Sequence, residues 1–168
     1  MPYFKCWNFG LTKEAPGLKE GDPAPDVQLL TERGEPFRLS GLRGKKVVLY
    51  FYPKASTPGC TTEACEFRDS SRSFSARNAV IVGVSPDKPA AQERFKTGQG
   101  LPFTLLADVD KSAAQAYGVW KEKSMYGKKV MGIERSTFVI GEDGRIEKIF
   151  RKVRAAGHAA EVLGALAR

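Results

Sequence analysis

Two apolar runs constrain the fold of this chain more than any other feature. KVVLYFY, from Lys46 to Tyr52, and AVIVGVS, from Ala79 to Ser85, show no alternation of polar and apolar residues. A strand of this kind is usually buried on both faces, as in the middle of a sheet that carries helices on each side. The two runs therefore predict the centre of an α/β sheet.

The segments around these runs predict the remaining elements. VQLLTERGEPFRL indicates two short strands around a glycine turn, and STFVI and RIEKIF indicate a hairpin around Asp143-Gly144. Helices are predicted from Thr61 to about Arg77, in PAAQERFK, in KSAAQAYGV and in HAAEVLGALAR. The order β-β-β-α-β-α-α-β-β-α needs helices on both faces of a central mixed sheet. It is compatible with a thioredoxin-like α/β fold.

Length and charge bound the possible functions. The chain has 168 residues, enough for one domain, which we place at residues 18–168 after an N-terminal extension of residues 1–17. Its 27 basic and 19 acidic residues give a net charge of +8, and Lys121, Lys123, Lys128 and Lys129 form a local patch. Because no nucleic-acid-binding motif accompanies them, we interpret the charge as a solvated surface and predict no specific nucleic-acid partner. Association with DNA remains an alternative.

The termini and the cysteine count set further expectations. No apolar run approaches membrane-spanning length, and MPYFKCWNFG lacks the pattern of a secretory signal, so we expect a cytoplasmic protein with no membrane association. Three cysteines are too few for a disulfide scaffold, and their spacing with the single His158 matches no zinc module. Cys6, in the extension, is predicted to be a thiol without a role, with mixed or intermolecular disulfides as the alternative.

The stretch YPKASTPGCTTEACEF, from Tyr52 to Phe67, places two cysteines directly after the first apolar run. Pro58 and Gly59 predict a turn, so that a helix begins near Cys60. The first turn of a helix offers unpaired N–H groups and a partial positive charge, which stabilise a thiolate. In α/β folds, chemistry is commonly found where a central strand ends. We therefore predict that Cys60 is a reactive thiol.

The spacing of the two cysteines has a geometric consequence. Five helical steps turn Cys65 by about 140° from Cys60 and separate their Cα atoms by roughly 8.5–9 Å. A disulfide requires less than about 7 Å, so a bond between them would require the first helical turns to unwind. The C-x4-C spacing also differs from the C-x2-C motif of disulfide reductases.

Other residues could activate the Cys60 thiol. The hydroxyls of Thr57 and Thr61 lie close in sequence. Arg135, just before the predicted strand STFVI, is well placed to supply a cation if that strand neighbours KVVLYFY. A Cys–His nucleophile pair would instead require His158 to reach Cys60.

The chain resembles the peroxiredoxins, and specifically their bacterioferritin-comigratory-protein or Q-type subgroup. The peroxiredoxin signature P-x3-[TS]-x2-C is matched by Pro53, Thr57 and Cys60. The Q-type helix is similar to TPGCTTEACEFRD. Further similar blocks, from about Leu18 onward, are GDPAPD, LSGLRGKKVVLYFYP and YGKKVMGIERSTFVIGEDGRI.

The resemblance implies a thiol peroxidase that reduces hydrogen peroxide and organic hydroperoxides. Cys60 would attack the peroxide O–O bond and become a sulfenic acid. Thr57 and Arg135 would hold the thiolate and the peroxide, and Pro53 would shield the pocket. Cys65 would be the resolving thiol, forming an intramolecular disulfide with Cys60.

The resemblance also implies partners and an auxiliary residue. Thioredoxin or a glutaredoxin-like dithiol would reduce the disulfide, and the protein would need no cofactor or metal and would be a monomer. Glu63 would orient Arg135, with the alternative that it is a first-turn acid complementing the helix dipole. Ala55 departs from the family, in which many members carry an acidic residue at this position.

One function from another class remains open. A thioredoxin-fold copper carrier without peroxidase turnover would bind the metal through two nearby cysteines and a distant histidine, here Cys60, Cys65 and His158. The peroxidase signature around Cys60 argues against it.

Overall fold

In a computed structural model of the chain, the structure describes residues 17–166. Its strands are β1 (Gln28–Thr31), β2 (Pro36–Arg38), β3 (Lys46–Phe51), β4 (Ala79–Ser85), β5 (Thr104–Ala107), β6 (Trp120–Met125), β7 (Lys128–Ile133), β8 (Ser136–Ile140) and β9 (Ile146–Phe150). Its helices are α1 (Pro58–Asp69), α2 (Ser71–Ala76), α3 (Pro89–Gln99), α4 (Ser112–Ala116) and α5 (His158–Ala165), with a 3-10 turn at Leu39–Leu42. Cys6 and residues 1–16 of the predicted extension lie outside the described residues.

Seven of the described strands form one mixed sheet in the order β9-β8-β3-β4-β5-β1-β2. The two apolar runs are β3 and β4, which pair in parallel at its centre, and β5 continues the parallel pairing. Strand β8 joins β3 antiparallel, with Phe51 opposite Ser136, and β9 joins β8 antiparallel. The predicted mixed sheet, with the last pair antiparallel, is confirmed.

Both faces of the sheet are covered, because successive residues of a strand point to opposite faces. Val48, Tyr50 and Tyr52 of the β3 region share a buried cluster with residues of α1, α2, α3 and α5. Val47, Leu49 and Phe51 share the opposite cluster with residues of α4. Cys60 belongs to the first cluster, so the candidate reactive thiol sits on the face that carries most of the helices.

The structure differs from the predicted elements in three places. Helix α1 begins at Pro58, earlier than predicted, and the helical segment is interrupted at Ser70 before α2. Strand β5 was missed because its short apolar run TLLA has no alternation of polar and apolar residues that would indicate a strand. The β6–β7 hairpin was missed because its turn is Tyr126-Gly127, where both residues have positive φ (53° and 77°) but the usual Asn-Gly or Asp-Gly signal is absent.

The lysine patch lies on this hairpin. Lys121 forms an ion pair with Glu134 at 3.4 Å, and Lys123 is half-buried and donates a hydrogen bond to the carbonyl of Ile133. Lys128 and Lys129 are exposed. Two of the four lysines, Lys121 and Lys123, therefore make contacts within the protein.

The described helices are also short. None of them combines the length and the apolar character that crossing a lipid bilayer requires.

Candidate active site

Cys60 lies in the first turn of α1, at the end of the loop that follows β3. Pro58 occupies the first helical position, where the missing N–H costs nothing, and Thr57 precedes it with an extended backbone (φ −85°, ψ 156°). Cys60 is therefore among the residues whose N–H groups have no helical acceptor. Its side chain is only 1 % exposed. The sulfur thus combines a favourable helix terminus with near-complete removal from water.

Arg135 reaches the sulfur of Cys60 from a different element of the fold. The pairing of Phe51 with Ser136 places Arg135, the residue before β8, beside the end of β3. Its Nη2 donates to Cys60 Sγ at 3.3 Å. Gly59 leaves room for this approach, because a Cβ at that position would lie 3.3 Å from Nη2.

Glu63 holds the other arm of the guanidinium. Arg135 Nη1 donates to Glu63 Oε1 at 2.6 Å, and Glu63 is fully buried. Burial opposes the charge of Arg135, yet the facing Glu63 and Cys60 raise the pKa of Arg135 above its usual value, so the guanidinium stays charged. One planar fork therefore spans the sulfur and the carboxyl group.

Burial and the ion pair act on Glu63 in opposite directions. Burial favours the neutral acid, whereas Arg135 favours the carboxylate. The second oxygen, Oε2, is buried and has no hydrogen-bond partner among residues 17–166. Burial prevails and raises the pKa of Glu63 to about 7.

The loop before α1 contains the other two predicted site residues. Thr57 Oγ1 donates its proton to the carbonyl of Lys54, in the same loop, at 2.8 Å. The lone pairs of Oγ1 are therefore free to accept a hydrogen bond. Pro53 follows the buried Tyr52 and is half-buried. The structure thus brings together Cys60, Arg135 and Glu63 by direct hydrogen bonds, with Thr57 and Pro53 in the loop that leads to them.

A buried polar network below this loop was missed in the sequence. Tyr52 donates from its hydroxyl to Gln92 Oε1 at 2.5 Å, and Gln92 Nε2 donates to Ser85 Oγ at 2.9 Å. Ser85 donates to Asp87 Oδ2 at 2.6 Å, and the same oxygen accepts the N–H of Ala55 at 2.7 Å. The signal that could have found it is the position of Ser85 and Asp87 at the carboxyl end of β4, next to the end of β3.

Cys65 lies away from Cys60 on the same helix, and neither residue is in a disulfide. Cys65 and Arg68, three residues apart on α1, both face the end of α3. Cys65 Sγ contacts Gln99 Oε1 at 3.4 Å, and Arg68 Nη1 donates to Gln99 O at 2.7 Å. The second cysteine is therefore half-buried against a neighbouring helix.

His158 does not approach the thiols as a ligand or a base. Its Nε2 bonds Thr137 Oγ1 at 2.7 Å and its Nδ1 bonds Glu161 Oε1 at 3.1 Å, with the rings of Phe67 and Phe150 against it. Burial lowers the pKa of His158. Within residues 17–166 no cluster of three metal-ligating side chains is found. The copper-carrier alternative has no support in this arrangement.

Comparison with known proteins agrees with the geometry. Residues 20–149 match the model of the AhpC/TSA family. The chain is 53 % identical over 149 residues to peroxiredoxin Bcp of Bacillus subtilis (89 % of this chain and 95 % of the relative), and 43 % identical over 141 residues to peroxiredoxin Bcp of Escherichia coli (84 % and 90 %).

Solved structures give the same result for the fold. A structure of the Xanthomonas campestris bacterioferritin comigratory protein aligns with a TM-score of 0.80 and 44 % identity, covering 83 % of this chain and 89 % of that chain. A mutant of Xylella fastidiosa PrxQ aligns with a TM-score of 0.85 and 39 % identity, covering 90 % and 97 %. The predicted thioredoxin-like fold is thereby confirmed. The chain belongs to the AhpC/TSA family and is a thiol-dependent peroxidase of the Bcp/PrxQ peroxiredoxins, which act on peroxides and are recycled by a thiol reductant such as thioredoxin.

Proposed function

We propose that Cys60 is the peroxidatic cysteine and that Arg135, Thr57, Glu63 and Pro53 form its site. The observation that carries this proposal is the Arg135 fork, which contacts Cys60 Sγ with one nitrogen and Glu63 with the other. A charged guanidinium and a helix N-terminus on one sulfur favour the thiolate, the form that attacks a peroxide.

The first step follows from these positions. The Cys60 thiolate attacks one oxygen of a hydroperoxide, the O–O bond breaks, and the leaving oxygen takes up one proton: Cys–S⁻ + ROOH + H⁺ → Cys–SOH + ROH. Arg135 stabilises the charge that develops on the oxygens. The oxygen of Thr57 accepts the peroxide O–H, because its own O–H donates to the backbone carbonyl of Lys54. Pro53 and the buried surroundings limit access of water.

Glu63 acts on Arg135 and not on the substrate. At 2.6 Å it fixes the plane of the guanidinium, which makes it a positioning residue. The alternative role at the helix dipole has less support, because the carboxyl is fully buried and bonded to Arg135.

We propose that Cys65 resolves the sulfenic acid of Cys60 as an intramolecular disulfide, which thioredoxin or a glutaredoxin-like dithiol then reduces. Cys60 is 1 % exposed and helical, so the first turns of α1 must open before the two sulfurs meet. The substrates we propose are hydrogen peroxide and organic hydroperoxides. In support, the work on the Xanthomonas campestris relative concerns alkyl peroxide reduction.

Three further features belong to the same proposal. We propose a monomer whose catalytic domain spans residues 18–168, since Arg135 and Glu63 complete the contacts of Cys60 within the same chain. We also propose action in the cytoplasm, because recycling by a dithiol needs a compartment that keeps dithiols reduced.

The test is a coupled assay with thioredoxin, thioredoxin reductase and NADPH. We expect NADPH oxidation on addition of hydrogen peroxide or an alkyl hydroperoxide, and none with Cys60→Ser. Cys65→Ser should react once and then stall. Mass spectrometry after one equivalent of peroxide should locate a Cys60–Cys65 bond in the wild type. Undiminished turnover by Cys60→Ser would overturn the proposal.

A further inference from the structure

The end of helix α3 is attached to the part of α1 that contains the resolving thiol. Gln99 is the last residue of α3, and Gly100 ends the helix in a left-handed conformation (φ 61°). Gln99 meets α1 twice: its side-chain oxygen lies 3.4 Å from Cys65 Sγ, and its backbone carbonyl accepts Arg68 Nη1 at 2.7 Å. The backbone contact fixes where the amide oxygen of the side chain can reach.

The Gln99–Cys65 contact is specific to one chemical form of the sulfur. An amide oxygen is an acceptor, so it can bond the S–H of a thiol but not a thiolate. The thiolate is the nucleophile in disulfide formation. Cys65 must therefore leave Gln99 Oε1 before it can attack.

We propose that Gln99 is a positioning residue that holds the thiol of Cys65 in its place on α1 and thereby slows resolution of the Cys60 sulfenic acid. This inference rests on the proposed roles of the two cysteines. By slowing resolution, Gln99 lengthens the life of the sulfenic acid, which a second peroxide can oxidise to the sulfinic acid. Gln99 thus sets how much peroxide the enzyme tolerates before it is inactivated.

The affected step is Cys60–SOH + Cys65–SH → Cys60–S–S–Cys65 + H₂O. The S–O bond of Cys60 breaks, the S–S bond forms, and the proton of Cys65 leaves with the hydroxyl as water. The competing step is Cys60–SOH + ROOH → Cys60–SO₂H + ROH. Gln99 acts on the first of these only, through Cys65.

Other contacts of α1 do not depend on Gln99's side chain. Glu66 Oε1 accepts the N–H of Gly157 at 2.8 Å, and the ring of Phe67 packs edge-on against His158. Removing the amide oxygen of Gln99 therefore releases Cys65 while α1 stays attached to α5 and to the core.

The experiment compares wild type with Gln99→Leu, which removes the acceptor, and Gln99→Glu, which keeps one. Reduced protein is mixed with one equivalent of hydrogen peroxide, quenched with acid at set times, and analysed by mass spectrometry for sulfenic acid and disulfide. We expect Gln99→Leu to form the disulfide about five-fold faster, the factor that corresponds to about 1 kcal/mol. Its sulfinic acid yield at excess peroxide should fall by a similar factor. Gln99→Glu keeps an acceptor and adds a charge that opposes the thiolate, so it should form the disulfide no faster than wild type.

Controls separate this effect from general loosening of the helix. Thr97→Ala, at an exposed position of α3, should change neither step. The rate of sulfenic acid formation should be the same in all variants. In a Cys65→Ser background, Gln99→Leu should leave over-oxidation unchanged, because the thiol through which it acts is gone.

The outcomes are distinguishable. A disulfide that forms equally fast in wild type and Gln99→Leu overturns the inference and leaves the proposed function intact. A change of over-oxidation in the Cys65→Ser background also overturns it. If wild type forms no Cys60–Cys65 bond at all, the proposed function itself fails.

Discussion

At the scale of the residue, Cys60 and Arg135 depend on each other. Cys60 is 1 % exposed, and the charged Nη2 that faces its sulfur lies at 3.3 Å. A buried negative charge is costly unless it is paired and hydrogen-bonded. Arg135 provides both in one group, because its planar fork contacts the sulfur and Glu63 together.

This geometry predicts a specific effect of Arg135→Lys. Lysine keeps one positive charge but lacks the fork that reaches both partners. We expect kcat/KM for hydrogen peroxide to fall by about 10²-fold, the usual cost of removing one donor from a developing negative charge. The exposed Arg154→Lys serves as the matched control and should be unaffected. A loss of less than two-fold for Arg135→Lys would contradict this role.

Glu63 predicts a pH dependence of stability. Its pKa is about 7 in the folded protein and near 4.5 in the unfolded chain, so between these values the folded state keeps a proton that the unfolded state has lost. The stability due to this carboxyl therefore falls as the pH rises from about 4.5 to 7. Glu63→Gln lacks this titration. We expect the free energy of unfolding of wild type, minus that of Glu63→Gln, to decrease by up to about 3 kcal/mol across this window.

Urea unfolding of reduced wild type and reduced Glu63→Gln at pH 5, 6, 7 and 8 measures the difference between their free energies of unfolding. If it stays flat or increases with pH, the attraction of Arg135 outweighs burial and Glu63 is ionised throughout.

At the scale of the element, the loop between β3 and α1 is held by the neighbouring strand. Ser56 in this loop has a positive φ of 67°, an unfavourable conformation for a residue other than glycine. Asp87, just after β4, accepts the N–H of Ala55 at 2.7 Å and links the loop to the buried Ser85 and Gln92. The position of the helix N-terminus therefore depends on a carboxylate from another element.

We accordingly expect Asp87→Ala to lower both stability and activity. It leaves the Ala55 N–H and the Ser85 hydroxyl without an acceptor, at a cost of about 1–3 kcal/mol. The peroxide rate constant should fall several-fold as the loop loosens, and Asp87→Asn, which keeps one oxygen, should lie between Asp87→Ala and wild type. Urea unfolding and the coupled assay measure the two effects. If Asp87→Ala has the stability and the peroxide rate constant of wild type, Asp87 does not hold the loop before α1.

At the scale of the whole molecule, the reaction requires one element to open while the sheet stays folded. Helix α1 is tied to β8 through Arg135, to α3 through Gln99 and to α5 through Glu66. The apolar centre of the sheet, β3 and β4, is buried on both faces. Opening is therefore expected to stay local.

Hydrogen exchange measures this directly. After one equivalent of peroxide, amides of residues 58–65 should lose protection, whereas those of β3, β4 and β8 should keep it. Cys65→Ser treated in the same way should keep the helix, because no disulfide can form to pull it open. Unchanged protection of residues 58–65 in protein that carries the Cys60–Cys65 bond would show that the helix accommodates the bond without unwinding.

The sequence by itself determined the features that depend on neighbouring residues. Unbroken apolar runs identified the central strands β3 and β4, and Pro58-Gly59 indicated a helix beginning near Cys60. The spacing of Cys60 and Cys65 already implied that they are separated in an intact helix, because helical geometry is fixed within a few residues.

Only the tertiary structure decided which distant residues reach these thiols. Arg135 contacts Cys60 because β8 pairs with β3 in one particular register, and Gln99 contacts Cys65 because α3 ends beside α1. The Tyr126-Gly127 hairpin likewise carried no distinctive local pattern, and the only signal of the Asp87 network was the position of Ser85 and Asp87 at the carboxyl end of β4. Such contacts join residues far apart in the chain, and strand pairing and helix packing select them through burial, which no short stretch of sequence encodes.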